Sequence, residues 1–208
     1  MNEQEPSVPQ SEIRNPIITF NDQQRWPILE TISKPCSFPL SQEDEEVIVF
    51  MDSILDQLDA EAAGLAAVQV GYAKQIFLLR NKVSEDGKPE NNAYINPILL
   101  KKSMEQKRDG EACLSLPGMG VAIKRPKSVT ISYTDISGEQ KVETFNGFWA
   151  RAVSHELDHL NGVMILNHLQ KVASKTVRRS KCGMVLDAAA QKRIAKRRAK
   201  KKFAKHNR

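Results

Sequence analysis

The fold and chemistry of this chain can be predicted outward from one short stretch, Ser154-His155-Glu156-Leu157-Asp158-His159. The stretch carries the pattern H-E-x-x-H. On a helix, side chains four residues apart project from the same face, so His155 and His159 can bind one divalent metal ion together. Glu156 lies beside that face, where a carboxylate can accept a proton from a water molecule on the metal.

The residues on either side of this stretch predict a helix. Asn146 is suited to the N-cap, the segment 148–160 contains no Gly or Pro, and Gly162 suits the position after the last turn. The alternative is a core helix that carries two histidines by chance. The spacing of the histidines and the Glu between them favour the metal site.

A catalytic tetrahedral metal site needs a third protein ligand and leaves one position for water. Three other side chains offer one, namely His168, His206 and Cys113. His206 lies in a highly charged tail, and His168 follows an apolar, strand-like run. Cys113 is the better candidate, and it lies on a short extended segment close to the turn residues Pro117-Gly118. A lone buried cysteine is nevertheless more often a small hydrophobe than a ligand.

Three segments of the chain, taken together, resemble the peptide deformylase family. They are Gly64-Leu65-Ala66-Ala67-Val68-Gln69, Glu111-Ala112-Cys113-Leu114-Ser115 and His155-Glu156-Leu157-Asp158-His159-Leu160-Asn161-Gly162. They occur in the family's order and near its spacing, and the resemblance extends from about Pro27 to Leu169. Members of the family are metalloenzymes that remove the formyl group from the N-terminal methionine of new bacterial chains. The resemblance implies an α+β fold, in which antiparallel or mixed β-sheets pack around a central metal-binding helix.

The resemblance also implies the ligand set of the metal. Cys113, His155 and His159 are expected to bind one divalent ion, and this set reverses the ordinary expectation for a lone cysteine. The family resemblance implies Fe²⁺ in the cell. Zinc binds such sites more tightly, so purified protein can contain Zn²⁺ or Ni²⁺ instead.

The resemblance assigns the remaining catalytic roles to three residues. Glu156 is expected to act as general acid and base, taking a proton from water and passing it to the leaving amine. The Gln69 side chain and the backbone N–H of Leu114 are expected to hold the oxyanion of the tetrahedral intermediate. Gly64 and Glu111, in the same two segments, are expected to line the substrate groove.

The substrate's methionine side chain needs an apolar pocket, and the rest of the peptide can pair with an exposed strand edge. Ala63, Phe148 and Ala152 are candidates for the pocket wall. The sequence departs from the family pattern at four positions near this groove. Ala62 and Ala112 replace residues that are mostly Gly, Ser154 replaces Gln, and Gly120 stands where many members have Arg. We expect these departures to affect peptide positioning rather than the hydrolytic core.

The predicted domain organisation has three parts. Residues 1–25 are expected to form an extended, partly disordered arm that lies across the body, residues 26–169 the catalytic domain, and residues 170–208 a basic helical extension. Ser41 and Asp44 predict the start of a helix with a capping box. The spacing of apolar residues gives this helix an apolar stripe of Val47, Met51, Ile54 and Leu58, with Asp52, Asp56 and Asp59 facing water. The sequence further predicts strands at 75–79 and 93–99 with a polar loop at 84–92 between them. Alternating apolar and polar residues predict a hairpin of 128–134 with 140–145.

The net charge of +6 over 208 residues conceals a marked asymmetry. Residues 171–208 contain 15 Lys and Arg but one acid, a charge of +14 that leaves −8 for the rest of the chain. Such a tail indicates a polyanionic partner, and ribosomal RNA is the partner that the resemblance favours. A solvated helix or a disordered end is the alternative. The odd cysteine count, the lack of a long apolar run and the lack of a targeting segment predict a soluble cytoplasmic protein without a membrane contact.

Two other function classes remain open from the sequence. One is a zinc peptidase that uses the H-E-x-x-H segment with His168 as third ligand, which leaves the segment around Cys113 unexplained. The other is a non-catalytic ribosome or RNA-binding factor, built from a deformylase-like body and the basic tail.

Overall fold

The computed structural model describes residues 15–58, 62–83, 87 and 89–169. The chain divides into two compact units, Met1–Ile165 and Leu166–Arg208. The helices of the first unit are α1 (Gln42–Gln57), α2 (Gly147–Leu160) and two 3-10 helices, Trp26–Glu30 and Ala67–Val70. Its strands are β1 (Gly64–Ala66), β2 (Ile76–Val83), β3 (Pro89–Lys102), β4 (Gln106–Ala112), β5 (Gly120–Pro126), β6 (Ser128–Thr134) and β7 (Gln140–Asn146).

Helix α1 begins where the sequence predicts. The Ser41 side chain accepts a hydrogen bond from the Asp44 N–H group at 3.2 Å, which satisfies one of the free donors of the first turn. Three residues of the predicted apolar stripe, Val47, Met51 and Ile54, are buried in the core. Asp44 is also buried, and its carboxylate is 3.0 Å from Lys74 Nζ. Asp59, predicted to face water, lies outside the described residues.

Five strands form one antiparallel sheet in the order β1-β2-β3-β6-β7. The predicted hairpin is confirmed, since β6 and β7 pair from Ser128 opposite Asn146 to Thr134 opposite Gln140. The end of the predicted loop at 84–92 is wrong, because β3 already begins at Pro89 and pairs there with β2. The pairing of β3 with β6 has a register shift between Ile95 and Ile98, the stretch that contains Pro97.

The strands β4 and β5 form a separate two-stranded sheet. Helix α2 contacts β1, β2, β6 and β7 of the large sheet and β5 of the small one. Its N-cap is Asn146, as predicted, although the Asn146 side chain makes no capping hydrogen bond. Gly162 adopts φ +68° just beyond the C-cap, and a Cβ atom there would meet the Glu30 carbonyl oxygen at 2.5 Å. The arrangement confirms the predicted α+β class, with a helix between two antiparallel sheets.

The segment before the first 3-10 helix packs on the body from its earliest described residues. Ile17 and Ile18 are buried, so ordered packing begins before the predicted domain start at residue 26. Residues 1–14 and the basic tail 170–208 lie outside the described residues, and the predictions for both stay predictions. Among the described helices, none has the length and apolar character that a membrane span requires.

Candidate active site

Helix α2 and the end of β4 bring together the three predicted metal ligands. His155 and His159 lie one helical turn apart, with ring centroids separated by 4.8 Å. Cys113 follows β4 directly, and its Sγ atom is 3.3 Å from Nε2 of His159. One ligand atom from each of the three side chains lies within 4.8 Å of the other two. Cys113 therefore lies next to two histidines that are at least 42 positions away in the sequence, as the family resemblance implied.

A buried carboxylate fixes the orientation of His155. Oε2 of Glu111 lies 3.2 Å from Nδ1 of His155, which leaves Nε2 of that ring for the cluster. Arg125 donates to both oxygens of the same carboxylate, at 2.8 and 2.9 Å. Burial alone would raise the pKa of Glu111, but the hydrogen bonds from Arg125 and His155 outweigh it and hold this pKa well below its usual range. Glu111 is therefore an anion that orients the ring of His155, as carboxylates commonly do for ligand histidines at metal sites.

The cluster fits a single divalent metal ion. Metal bonds of about 2.0–2.3 Å place two tetrahedral ligands roughly 3.5 Å apart, close to the distance between Cys113 Sγ and His159 Nε2. Burial lowers the pKa of His159 well below its usual value, so this ring is neutral, as a ligand must be. Burial also lowers the pKa of His155, but hydrogen bonds with Cys113 and Glu111 outweigh it and raise this pKa to about 10. A metal ion therefore competes with a proton for His155.

Glu156 is the buried acid beside the ligand cluster. Its Oε2 atom is buried without a hydrogen-bond partner in the described part of the chain. Its Oε1 atom faces Gly64, where a Cβ atom would come within 2.9 Å of it. Burial raises the pKa of Glu156 to about 7, so the carboxylate can both accept and release a proton near neutral pH.

Gln69 projects its amide toward the same cluster from the 3-10 helix Ala67–Val70. Its Oε1 accepts the Ala66 N–H at 3.0 Å, and its Nε2 donates to Ser115 Oγ at 3.1 Å. The same Nε2 atom is 3.7 Å from Sγ of Cys113. The amide thus presents its donor end to the ligand cluster. Leu114, which follows Cys113, lines the adjoining cleft.

A cleft of about 550 Å³ opens beside these residues. All five residues predicted for substrate binding line it, namely Ala63, Gly64, Glu111, Phe148 and Ala152. Phe148 is exposed, whereas Ala152 is buried. The residues predicted for substrate binding therefore share one concave surface with Gln69, Cys113, His155 and Glu156.

The four departures from the family pattern differ in their relation to this cleft. Ala62 and Ala112 line it. Gly120 pairs with Ala112 across β4 and β5, but it is not among the described residues that line the cleft. Ser154 Oγ donates to the Ala150 carbonyl at 2.7 Å, so its hydroxyl is engaged by its own helix. The structure thus gives no direct support for the expected effect of Gly120 on peptide positioning.

Sequence reasoning missed two arginines that organise the site. Arg125 is buried on β5 and bonds Asp158 as well as Glu111. It continues the alternation of the buried residues Val121 and Ile123, and this period of two was a usable signal. Arg151 lines the cleft and donates to Oε1 of Glu111 at 2.6 Å.

Arg151 also ties α2 to the small sheet. Its guanidinium donates to the backbone carbonyls of Lys107 at 2.8 Å and Ile123 at 3.1 Å. Arg151 precedes His155 by four residues and therefore lies on the ligand face of the helix, which was a second usable signal. Its position in the cleft wall adds a cation beside the apolar residues that the sequence predicted there.

Comparisons with known proteins agree with this geometry. The polypeptide deformylase family model matches residues 15–175. A peptide deformylase of Rhodopseudomonas palustris is 36% identical over 146 residues, which cover 69% of this chain and 81% of that protein. The crystal structure of peptide deformylase from Thermotoga maritima is 33% identical, with a TM-score of 0.63 over 73% of this chain and 95% of that one. A Plasmodium falciparum peptide deformylase in complex with an inhibitor is 30% identical, with a TM-score of 0.62 over 78% of this chain and 94% of that one. With a family match over most of its length and the ligand cluster in place, the chain belongs to the peptide deformylase family.

Proposed function

We propose that this protein hydrolyses the N-terminal formyl group of newly made polypeptides that begin with formyl-methionine. The observation that carries the proposal is the convergence of Cys113, His155, His159 and Glu156 beside one substrate-sized cleft. Three ligand side chains leave a fourth position for water, as in catalytic rather than structural metal sites. The proposal also places the enzyme in the bacterial cytoplasm, where formylated chains are made.

One divalent ion is expected between Cys113, His155 and His159. A thiolate and two imidazoles suit several transition metals, and we propose Fe²⁺ as the ion used in the cell, with Zn²⁺ or Ni²⁺ as replacements in purified protein. The bound ion supplies Lewis acidity and lowers the pKa of a water molecule toward ~7. Glu111 supports this site by fixing the ring of His155, and Arg125 keeps Glu111 ionised.

Glu156 is the residue that we propose to move the proton. Its carboxylate lies next to the ligands in sequence and opens toward Gly64 in the cleft wall. With a pKa near 7, it accepts a proton from the attacking water and delivers it to the amine that leaves. No hydrogen bond from another described side chain holds its Oε2 atom, so this oxygen is free to accept that proton.

Two donors are proposed to hold the oxyanion that forms on the formyl oxygen. Gln69 contributes its side-chain amide, whose donor end is fixed because Oε1 is already bound by Ala66 N–H. Leu114 contributes its backbone N–H from the segment that also carries Cys113. Donors set in place before the reaction need no reorganisation as charge develops.

The cleft is proposed to bind the methionine side chain and the residues that follow it. Ala63, Phe148 and Ala152 supply apolar surface, and Ala62 and Ala112 add a methyl group each to the same wall. A narrower groove of this kind is expected to affect peptide affinity more than the chemical step. Rate constants for long and short formyl peptides distinguish the two effects, because weaker uniform binding raises KM and leaves kcat unchanged.

The geometry disfavours both alternatives. A zinc peptidase with His168 as third ligand leaves Cys113 without a role, yet Cys113 Sγ lies 3.3 Å from His159 Nε2. A purely non-catalytic factor leaves the unpaired buried Glu156 oxygen and the aligned Gln69 amide unexplained. Ribosome binding by the basic tail is compatible with catalysis, and it is proposed from the charge of residues 170–208 alone. The test is co-sedimentation of the protein with ribosomes. Deletion of residues 184–208 should abolish it, and unchanged co-sedimentation of the truncated protein would reject the proposal.

The direct test uses full-length protein loaded under nitrogen with Fe²⁺ or with Ni²⁺. We expect release of formate from a formyl-Met tripeptide and no release of acetate from the acetyl-Met tripeptide, in which a methyl group replaces the formyl hydrogen. Release of free methionine from an unblocked peptide would instead indicate a peptidase. Failure to release formate with either metal would overturn the proposed function.

A further inference from the structure

The hydroxyl group of Ser115 is a buried polar group that the proposed reaction does not use. Ser115 has no exposed surface, and its Oγ accepts the hydrogen bond from Gln69 Nε2 at 3.1 Å. Gln69 is itself buried. A buried hydroxyl that binds a proposed oxyanion donor is placed to control where that donor points.

Both ends of the Gln69 amide are constrained, but in different ways. Its oxygen accepts the Ala66 N–H at 3.0 Å, which identifies the other end as the NH₂ group. An NH₂ group has two N–H donors. Ser115 Oγ takes one of them, and the atom that carries the other lies 3.7 Å from Sγ of Cys113, a proposed metal ligand. Holding one donor on Ser115 therefore directs the second toward the reacting centre.

The N-terminal segment joins the same two residues a second time, through their backbones. The N–H of Ile18 donates to the Gln69 carbonyl at 2.8 Å, and the N–H of Phe20 donates to the Ser115 carbonyl at 3.1 Å. Ile18 is completely buried. The side-chain bond and the segment 18–20 thus close a ring that fixes the separation between the 3-10 helix Ala67–Val70 and the segment that carries Ser115.

We propose that Ser115 is a positioning residue, which holds the Gln69 amide so that one N–H is directed at the formyl oxygen in the transition state. The inference rests on the proposed function. Ser115 touches neither substrate nor metal in this role, and it acts only through Gln69. Its effect is therefore expected in kcat, because the bond to the oxyanion forms in the transition state and adds little to binding of the ground state.

A double-mutant cycle tests this role in the metal-loaded full-length enzyme. Ser115→Ala is expected to lower kcat about tenfold with KM changed less than twofold, a part of the 10²–10³ that loss of a whole oxyanion donor costs. In the Gln69→Ala background the same change is expected to alter kcat less than twofold, since the donor is already absent. Ser115→Cys, which has similar volume but a weaker acceptor, is expected to fall between Ser and Ala.

Metal content and thermal unfolding of each variant accompany the rate measurements. Equal losses of kcat from Ser115→Ala in both backgrounds would show a purely structural role and overturn the inference. If Ser115→Ala does not fold, Ser115→Cys in the two backgrounds decides by the same comparison. Lack of deformylation by the unmodified enzyme would overturn the proposed function and this inference together, whereas an active enzyme with additive losses would overturn this inference alone.

Discussion

The replacement of Gly64 by Ala is predicted to disturb both the fold and the Glu156 carboxylate, the proposed proton-transfer group. A Cβ atom at position 64 would lie 2.8 Å from the Leu78 carbonyl oxygen, 2.8 Å from Leu79 Cδ2 and 2.9 Å from Glu156 Oε1. The first of these groups is backbone of the neighbouring strand β2, which pairs with β1 at this point. The added methyl group therefore displaces either a strand or the carboxylate.

The size of the effect follows from these contacts. Overpacking a well-filled site costs about 1–3 kcal/mol. For a chain of this length, each kcal/mol lowers the melting temperature by about 2–4 °C, which gives a decrease of roughly 2–12 °C. A shift of Glu156 by a fraction of an ångström moves it away from the attacking water, and we expect kcat to fall on the order of 10-fold or more.

Gly110→Ala is the matched control for this experiment. Gly110 also lines the cleft, but a Cβ atom there would meet nothing within 4 Å. Thermal unfolding and formate release are measured for both variants at equal metal content. We expect Gly110→Ala to remain within about 0.5 kcal/mol of the unmodified protein. If Gly64→Ala shows the same melting temperature and kcat as Gly110→Ala, the reasoning from close contact at Gly64 is wrong.

Three further predictions concern the metal, the acid stability and the small sheet. Cys113→Ala is expected to lose stoichiometric metal after gel filtration, and full metal content in that variant would reject Cys113 as a ligand. Burial would raise the pKa of Asp44, but hydrogen bonds with Ser41 and the ion pair with Lys74 outweigh burial and lower this pKa. The ionised Asp44 carboxylate therefore stabilises the folded protein above pH ~4, and this stabilisation is lost as the pH falls through the folded-state pKa. Asp44→Asn should therefore lower the free energy of unfolding in urea by about 0.5–1 kcal/mol at pH 7 and by less at pH 3, and a constant difference would contradict the ion pair's role. Arg151→Met loses the hydrogen bond to Glu111 and should lower the free energy of unfolding by about 1.5–3 kcal/mol. The control Lys124→Met, at an exposed position, should leave the free energy of unfolding unchanged. Equal stability of the two variants would refute the role of Arg151 in anchoring helix α2 to the small sheet.

The elements that the sequence predicted best are those determined by local rules. Helix α2 ends near Gly162 as predicted, because a stop residue acts within one turn, and its N-cap is at Asn146 although that side chain makes no capping hydrogen bond. The β6–β7 hairpin likewise follows from alternation on either side of a turn. The start of β3 was missed, since Gly87 and Pro89 signal a loop locally while pairing with the distant strand β2 extends the sheet to Pro89.

The residues of the candidate site also differ in whether local sequence rules predict them. The histidine pair and Glu156 follow from helical spacing, but Cys113 needed the family resemblance, because 42 residues separate it from His155 in the sequence. The local patterns around Arg125 and Arg151 gave usable signals for their positions, but the partners of both arginines and of Ser115 are distant in the sequence and become visible only in three dimensions. Gln69 and Ser115, for example, meet across 46 positions.

The central claim is that Glu156 performs proton transfer at a metal held by Cys113, His155 and His159. The most direct measurement compares formate release from a formyl-Met tripeptide by the unmodified enzyme and by Glu156→Gln, each at measured metal content. Gln keeps the shape of the side chain but cannot accept the proton, so the variant should retain one metal per chain and lose roughly 10²–10⁴-fold in kcat. Near-normal turnover by the metal-replete Glu156→Gln variant would contradict the account.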